Sequence, residues 1–153
     1  MPFPADFPAF FHCHLDDECG ETESDSQDFR LRLDAMGIRY KSLHVGDDRA
    51  VFLSLSGTTI TDLSPLAAFP LTHLCLQGCY WIADLSPLKG MSLIWLNLCR
   101  TRITDLSPLR CMPLRELFFF PGHIEKGLRS LRGIASLKKI NRRPAEAFWR
   151  RYG

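Results

Sequence analysis

His12-Cys13-His14, followed by Asp16, Asp17, Glu18 and Cys19, is the densest group of potential metal ligands in the chain. On an extended segment alternate residues face one way, so His12 and His14 can share an ion that Cys19 completes. The spacing matches no familiar zinc module, and these residues lie in an acidic N-terminal tail. The expectation is therefore a plain acidic tail, with no metal and no cofactor. Catalysis has less support. Ser64, Ser86 and Ser107 recur at one position of a repeated sequence, which points to turns and not to a single nucleophile. His44, His73 and His123 have no partner arrangement that the sequence reveals. Cys79 reads as a small buried residue, and Cys75 and Cys99 as exposed, reactive thiols. The chain is expected not to be an enzyme.

Charge is distributed unevenly. The net charge is only +2, yet residues 1–28 hold eight carboxylates and no Lys or Arg, leaving 19 basic and 9 acidic groups, or +10, for the remainder. Lys138, Lys139, Arg142, Arg143, Arg150 and Arg151 lie near the C-terminus, where they could meet phosphates. The commoner role of such residues is the solvated face of a helix and its preceding loop, and no nucleic-acid motif accompanies them. The N-terminus lacks a basic start and an apolar core of the secretory kind, and no apolar run approaches membrane-spanning length. Six cysteines without such a signal imply free thiols in a reducing compartment. These features together predict a cytoplasmic protein that does not engage a membrane.

Asp62-Leu63-Ser64-Pro65-Leu66 returns as Asp84-Leu85-Ser86-Pro87-Leu88 and again as Asp105-Leu106-Ser107-Pro108-Leu109, with the aspartates 22 and then 21 residues apart. A period of that length is in the leucine-rich-repeat range and predicts a solenoid. The pattern L-x-x-L-x-L-x-x-N-x-L falls on Ala50, Leu53, Leu55, Thr58 and Ile60. It recurs on Leu71, Leu74, Leu76, Cys79 and Ile82 (one residue longer), and on Leu93, Leu96, Leu98, Thr101 and Ile103. A divergent copy uses Leu114, Leu117, Phe119, Gly122 and Ile124, and a partial fifth begins at Leu137 and Ile140. Two leucines one residue apart point to the same side of a short strand, and stacked copies build a core that one copy could not bury alone.

Asp-Leu-Ser-Pro-Leu then reverses the chain, the aspartate accepting backbone N–H bonds and the proline taking an early turn position. Leu63, Leu66, Phe69, Leu85, Leu88, Met91, Leu106, Leu109 and Met112 should face inward. The repeat's asparagine position holds Thr58, Cys79, Thr101 and Gly122. Its backbone bonding should weaken towards the fourth copy, since Gly has no side chain to offer.

The ends read as caps. Ser24 and Gln27 resemble a capping box, Phe29, Leu33 and Met36 share a helical face, and Gly37 suits the position after a helix. Ile38, Tyr40 and Val45 suggest a strand, with Gly46-Asp47-Asp48 turning into the next. Pro144 can open a terminal helix whose Ala145, Phe148, Trp149 and Tyr152 form an apolar stripe. The organisation expected is a Phe- and Pro-containing acidic tail over 1–23, an N-terminal cap over 24–49, repeats over 50–134, and a partial repeat with a capping helix over 135–153. The fold class is α/β: a short right-handed leucine-rich-repeat solenoid with a parallel sheet of four to five short strands, loop or 3-10 turns on the convex side, and a helix at each end.

Two segments carry a family resemblance. Asp84-Leu85-Ser86-Pro87-Leu88-Lys89-Gly90-Met91 and Asn141-Arg142-Arg143-Pro144-Ala145-Glu146-Ala147-Phe148-Trp149-Arg150-Arg151-Tyr152 resemble the leucine-rich-repeat regions of bacterial proteins in which such regions often follow a serine/threonine protein kinase domain. The resemblance covers roughly residues 38–153. It implies an interaction role and no kinase activity here, because the glycine-rich nucleotide loop, His-Arg-Asp and Asp-Phe-Gly are all missing.

In each predicted strand the residues flanking the core leucines face the concave side in three columns. These are Phe52, His73, Trp95 and Glu116; Ser54, Cys75, Asn97 and Phe118; and Ser56, Gln77, Cys99 and Phe120. Aromatic anchors among His, Asn, Gln and Glu suit protein recognition. The expected function is to bind a protein or peptide through Phe52, His73, Gln77, Trp95, Asn97, Glu116, Phe118 and Phe120, by a chain that is monomeric or self-associates weakly. The alternatives are cover of this face by the tail's phenylalanines or by a second copy, and nucleic-acid or polyanion binding by the basic C-terminal region.

Overall fold

The structure is a computed structural model that describes residues 23–46 and 48–153. Its centre is one open, mostly parallel seven-stranded sheet whose strands lie in chain order: β1 (Ser42–Val45), β2 (Val51–Ser54), β3 (His73–Cys75), β4 (Trp95–Asn97), β5 (Glu116–Phe118), β6 (Lys139–Ile140) and β7 (Arg143–Pro144). The pairs from β2 to β6 are parallel, and the outermost pairs, β1–β2 and β6–β7, are antiparallel hairpins. The sheet therefore exceeds the four to five strands expected. The excess lies in the terminal hairpins, whose short strands carry little pattern of their own. β7 is two residues long and contains a proline, which suits an edge because the edge strand needs no donor there.

The register follows the repeat. Leu53, Leu74, Leu96, Leu117 and Ile140 stand side by side across five strands, all of them fully buried. Leu55, Leu76, Leu98 and Phe119 form the next buried row. Opposite them come 3-10 turns at Ser64–Ala68, Ser86–Leu88 and Ser107–Leu109, and a further short one, Pro121–His123, follows directly on β5. In the first three the repeated aspartate holds the turn: Asp62, Asp84 and Asp105 each accept the N–H of the serine two residues on at 2.8 Å. These serine bonds hold the three carboxyls below the usual aspartate range. Proline takes the second position of each of these turns, after the serine, and the two leucines flanking the Ser-Pro pair drop into the core.

The fourth repeat lacks Asp-Leu-Ser-Pro-Leu and behaves differently. After Gly127 it forms a five-residue α-helix, α2 (Leu128–Arg132), which packs on the third turn and which the repeat pattern did not anticipate. Both ends carry helices, as expected. At the first, α1 (Glu23–Ala35) packs against β1 and buries Leu33, and its Phe29 lies 5.7 Å from Phe69. Arg32 sits over the Phe69 ring at 4.7 Å. Met36, expected on the same inward face, falls beyond the helix and is exposed. At the other end Ala145 and Phe148 of α3 (Ala145–Tyr152) are buried, with Phe148 meeting Phe119 edge to face at 5.7 Å. Tyr152, the last member of the predicted stripe, is exposed. Among the described residues no helix is long and apolar enough to cross a membrane.

Candidate functional site: an aromatic face on the sheet

Strand residues alternate between the two sides of a sheet, so the side away from the leucines carries Phe52, Ser54, His73, Cys75, Trp95, Asn97, Glu116 and Phe118. The pairing puts the first two predicted columns in register: Phe52, His73, Trp95, Glu116 and Lys139 in one row, and Ser54, Cys75, Asn97 and Phe118 in the next. The rings form a continuous ladder. Centroids are 6.4 Å apart for His44–Phe52, 5.9 Å for Phe52–His73, 5.9 Å for Phe52–Trp95 and 5.3 Å for Trp95–Phe118. All lie in the range of favourable tilted aromatic contact. Phe120 is at the rim, packed on His123 at 4.8 Å.

The predicted residues divide by accessibility. His73, Gln77, Trp95, Glu116 and Phe120 are half-buried and can meet a partner directly. Phe52, Asn97 and Phe118 are buried. Asn97 is also occupied: its Oδ1 accepts the Cys99 N–H at 2.9 Å and its Nδ2 approaches Gln77 Oε1 at 3.4 Å. It organises the turn after β4 and orients Gln77. The expectation of reactive thiols fails for both cysteines on this side. Cys75 is fully buried, and burial pushes the Cys99 thiol up to about 12, so it stays protonated and unreactive. Cys79 is buried, as expected, and donates to the Leu55 carbonyl at 2.9 Å.

Burial also perturbs His73 on this face. Desolvation lowers its pKa below the ordinary 6.5, with Asp48 pulling weakly the other way, and Thr72 Oγ1 lies 2.9 Å from its Nδ1. A lowered histidine pKa means that the unfolded chain binds the proton more tightly than the folded one. Stability is then complete above about 6.5 and falls as pH drops through the window beneath it. Melting temperatures measured from pH 7.5 to 5.5 should decline, and His73→Gln should flatten that slope. An equal slope in the variant would exclude His73 as the source.

Among the described residues no group of three or more His, Cys, Asp and Glu side chains is placed to hold a metal ion. His12, Cys13, His14 and Cys19 lie outside the described residues, as does nearly all of the predicted tail. The basic residues Lys138, Lys139, Arg142, Arg143, Arg150 and Arg151 are all exposed, just before and on β6, in the hairpin after it and on α3. No family model matches the chain, and no curated protein shows significant similarity to it.

Proposed function

We propose that the stacked strands and turns form a short leucine-rich-repeat solenoid, akin to the repeat regions found beside bacterial kinase domains, whose aromatic face binds a protein or peptide in the cytoplasm without catalysis. The observation that carries this reading is the ring ladder from His44 through Phe52, His73 and Trp95 to Phe118, set beside half-buried Gln77, Glu116 and Phe120. Rigid aromatic anchors flanked by groups that fix hydrogen-bonding register are the composition of interface hot spots. An extended peptide fits best, because a parallel sheet offers rows at fixed spacing in which alternate side chains can seat.

Trp95 and Phe120 are the residues to test, since both are partly accessible and neither is part of the leucine core. Phe118 is a poor choice, because truncating a buried ring costs stability as well as contact. With a partner isolated by affinity capture from the native cytoplasm, Trp95→Ser and Phe120→Ser should each weaken binding by at least about 30-fold, the effect of losing one ~2 kcal/mol hot spot. Far-UV circular dichroism should be unchanged at the assay temperature. Capture that survives both substitutions would remove the face from the interaction.

The exposed basic cluster at the C-terminal end supports a second reading, polyanion binding. Capture of nucleic acid that weakens steeply with salt and is indifferent to Trp95→Ser is the result that would favour it.

A further inference from the structure

The second repeat is one residue longer than its neighbours, and the extra length falls where the chain leaves the sheet. Thr58 and Thr101 are each followed by one residue and then an isoleucine, whereas Cys79 is followed by two, Tyr80 and Trp81, before Ile82. The Ile82 N–H donates to the Cys79 carbonyl at 3.2 Å, so the two rings occupy the tip of a tight turn. Both feet of the turn are fixed. Cys79 and Ile82 belong to the core, and the Cys79 thiol is held on the Leu55 carbonyl. At the tip, Tyr80 is 57% and Trp81 59% exposed. Two large rings are therefore held in water on a rigid mount, where they add little to the core.

The repeat sets charge beside these rings. Thr59, Trp81, Arg102 and His123 hold one position, the residue before the isoleucine, in four successive repeats, and all four are exposed. Backbone bonds tie the neighbouring coils together at this level. The Arg102 N–H donates to the Ile82 carbonyl at 3.0 Å, and the Glu125 N–H donates to the Thr104 carbonyl at 2.8 Å. Arg100 is exposed on the same loop as Arg102, and the β6–β7 hairpin brings exposed Arg142 and Arg143 to the same end of the strands. Among the described residues no ion pair engages Arg100 or Arg102. Exposed Glu125 adjoins the row, and Asp62, Asp84 and Asp105 come two residues past the isoleucines, each bonded to a serine.

We infer that this side of the protein binds single-stranded nucleic acid, with bases stacked on Tyr80 and Trp81 and phosphates met by Arg100, Arg102 and the hairpin arginines. Every base has a π face, so an exposed aromatic pair beside available guanidinium groups is a stacking platform that needs no sequence code. The rigid turn lowers the ordering cost of binding. The row also suits a linear ligand: coils about 5 Å apart carry it from Thr59 to the hairpin over about 20 Å. A duplex keeps its base faces inside the stack, so it can use the arginines but not the rings. A membrane surface fits less well, because two rings bury too little apolar area for stable anchoring and the basic groups form a line. This site lies beside the strands, apart from the aromatic face of the sheet. Unlike the basic C-terminal cluster, it requires rings as well as charge.

Fluorescence anisotropy of the full chain with labelled oligo(dT) and oligo(U) of about twelve nucleotides should show binding that weakens with salt. Tyr80→Ala combined with Trp81→Ala should weaken it at least about 30-fold, the loss of two stacked bases. The melting temperature should not change, because neither ring belongs to the core. Arg102→Gln should weaken binding about three- to tenfold and reduce the salt slope by about 0.7. Absence of binding to both oligonucleotides at low salt would overturn the proposal. So would duplex DNA bound as tightly as oligo(dT), which would reduce the site to charge alone. A Lys138→Gln, Arg150→Gln variant that loses binding while the ring variant keeps it would overturn it in favour of the C-terminal cluster. Should the oligonucleotides fail, loss in the ring variant of cosedimentation with anionic vesicles, or of a dimer in the ultracentrifuge, would reassign the turn to a membrane or a second copy. If the ring variant does not fold, the unmodified protein decides: photo-crosslinks from a thiouridine-bearing oligonucleotide should map to Tyr80, Trp81 and Arg102, and crosslinks confined to residues 138–152 would overturn the site. None of these readouts needs a protein partner, so their failure leaves protein binding at the aromatic face standing.

Discussion

Replacing Gly127 by alanine should destabilise the protein by about 3 kcal/mol or more and lower its melting temperature by roughly 10 °C, an effect out of proportion to one methyl group. Gly127 has φ +81°, and a Cβ there would lie 2.2 Å from the Ser107 nitrogen and 2.5 Å from the Leu106 carbonyl carbon. Both are backbone atoms of the third Asp-Leu-Ser-Pro-Leu turn, so no side chain can swing aside. The contact is close because the fourth repeat is laced to the third at this point. Leu106 N–H donates to the Lys126 carbonyl at 3.0 Å, Glu125 N–H donates to the Thr104 carbonyl at 2.8 Å, and Asp105 and Lys126 form a parallel bridge. Gly57 and Gly90 supply the control. Their φ values are +71° and +81°, yet an added Cβ meets nothing within 4 Å at either. Alanine there should cost only the left-handed backbone penalty of about 1–2 kcal/mol. Thermal melts of the three variants separate clash from conformation, and a Gly127→Ala melt matching Gly90→Ala would show that the two repeats part easily.

That contrast marks how far the fold could be read from the chain. Where Asp62, Asp84 and Asp105 repeat, the same local physics repeats: a carboxylate takes a serine N–H, a proline presets the turn and two leucines drop inward. Strand register follows, because the leucines on either side must meet in one core, and so the rows containing Phe52, His73 and Trp95 were legible. Burial of those rows was not. Periodicity gives the side of the sheet a residue faces but not what lies over it, so Asn97, Cys75 and Phe118 looked as accessible as Trp95. The fourth repeat was opaque for a second reason. Without the Asp-Leu-Ser-Pro-Leu run, α2 takes the place of a 3-10 turn, and the need for glycine at 127 arises from a neighbouring repeat twenty residues earlier. The hairpin joining β6 to β7 left no familiar trace either. Asn141 and Arg142 both have positive φ, 52° and 65°, the conformation of a two-residue type I′ turn, and arginine in its second place is not a turn signal.

Asn141 is also where the degraded asparagine position is made good, and its replacement by alanine should cost about 3–5 kcal/mol. Thr58 and Thr101 each donate a hydroxyl to a carbonyl three residues back, Leu55 and Leu98, at 2.8 Å. In the fourth repeat Gly122 has nothing to donate to the equivalent Phe119 carbonyl. Asn141, one strand further on, supplies the bond from its Nδ2 at 2.9 Å, and its Oδ1 accepts the Phe119 N–H at 3.0 Å. The second bond has its own cause. In earlier repeats this N–H reaches the backbone of the next strand, as Leu55 does to Cys75, Leu76 to Asn97 and Leu98 to Phe118. Beyond Leu117 the chain turns back at Asn141, so a side chain completes the ladder that the backbone leaves unfinished. Alanine would leave two groups of the buried Phe119 backbone unpaired, at about 1–3 kcal/mol each, and would add the strain of a positive φ that asparagine tolerates better. Asn141→Asp keeps the acceptor and loses the donor, and Asn141→Gly keeps the turn and loses both bonds. Denaturant melts should therefore rank the stabilities wild type, then Asp or Gly, then Ala. Because Phe119 packs on Phe148, the alanine variant should also loosen α3, read as faster hydrogen exchange over residues 145–152 than over β2 to β4. Uniform exchange across both regions would mean that the hairpin does not anchor the terminal helix.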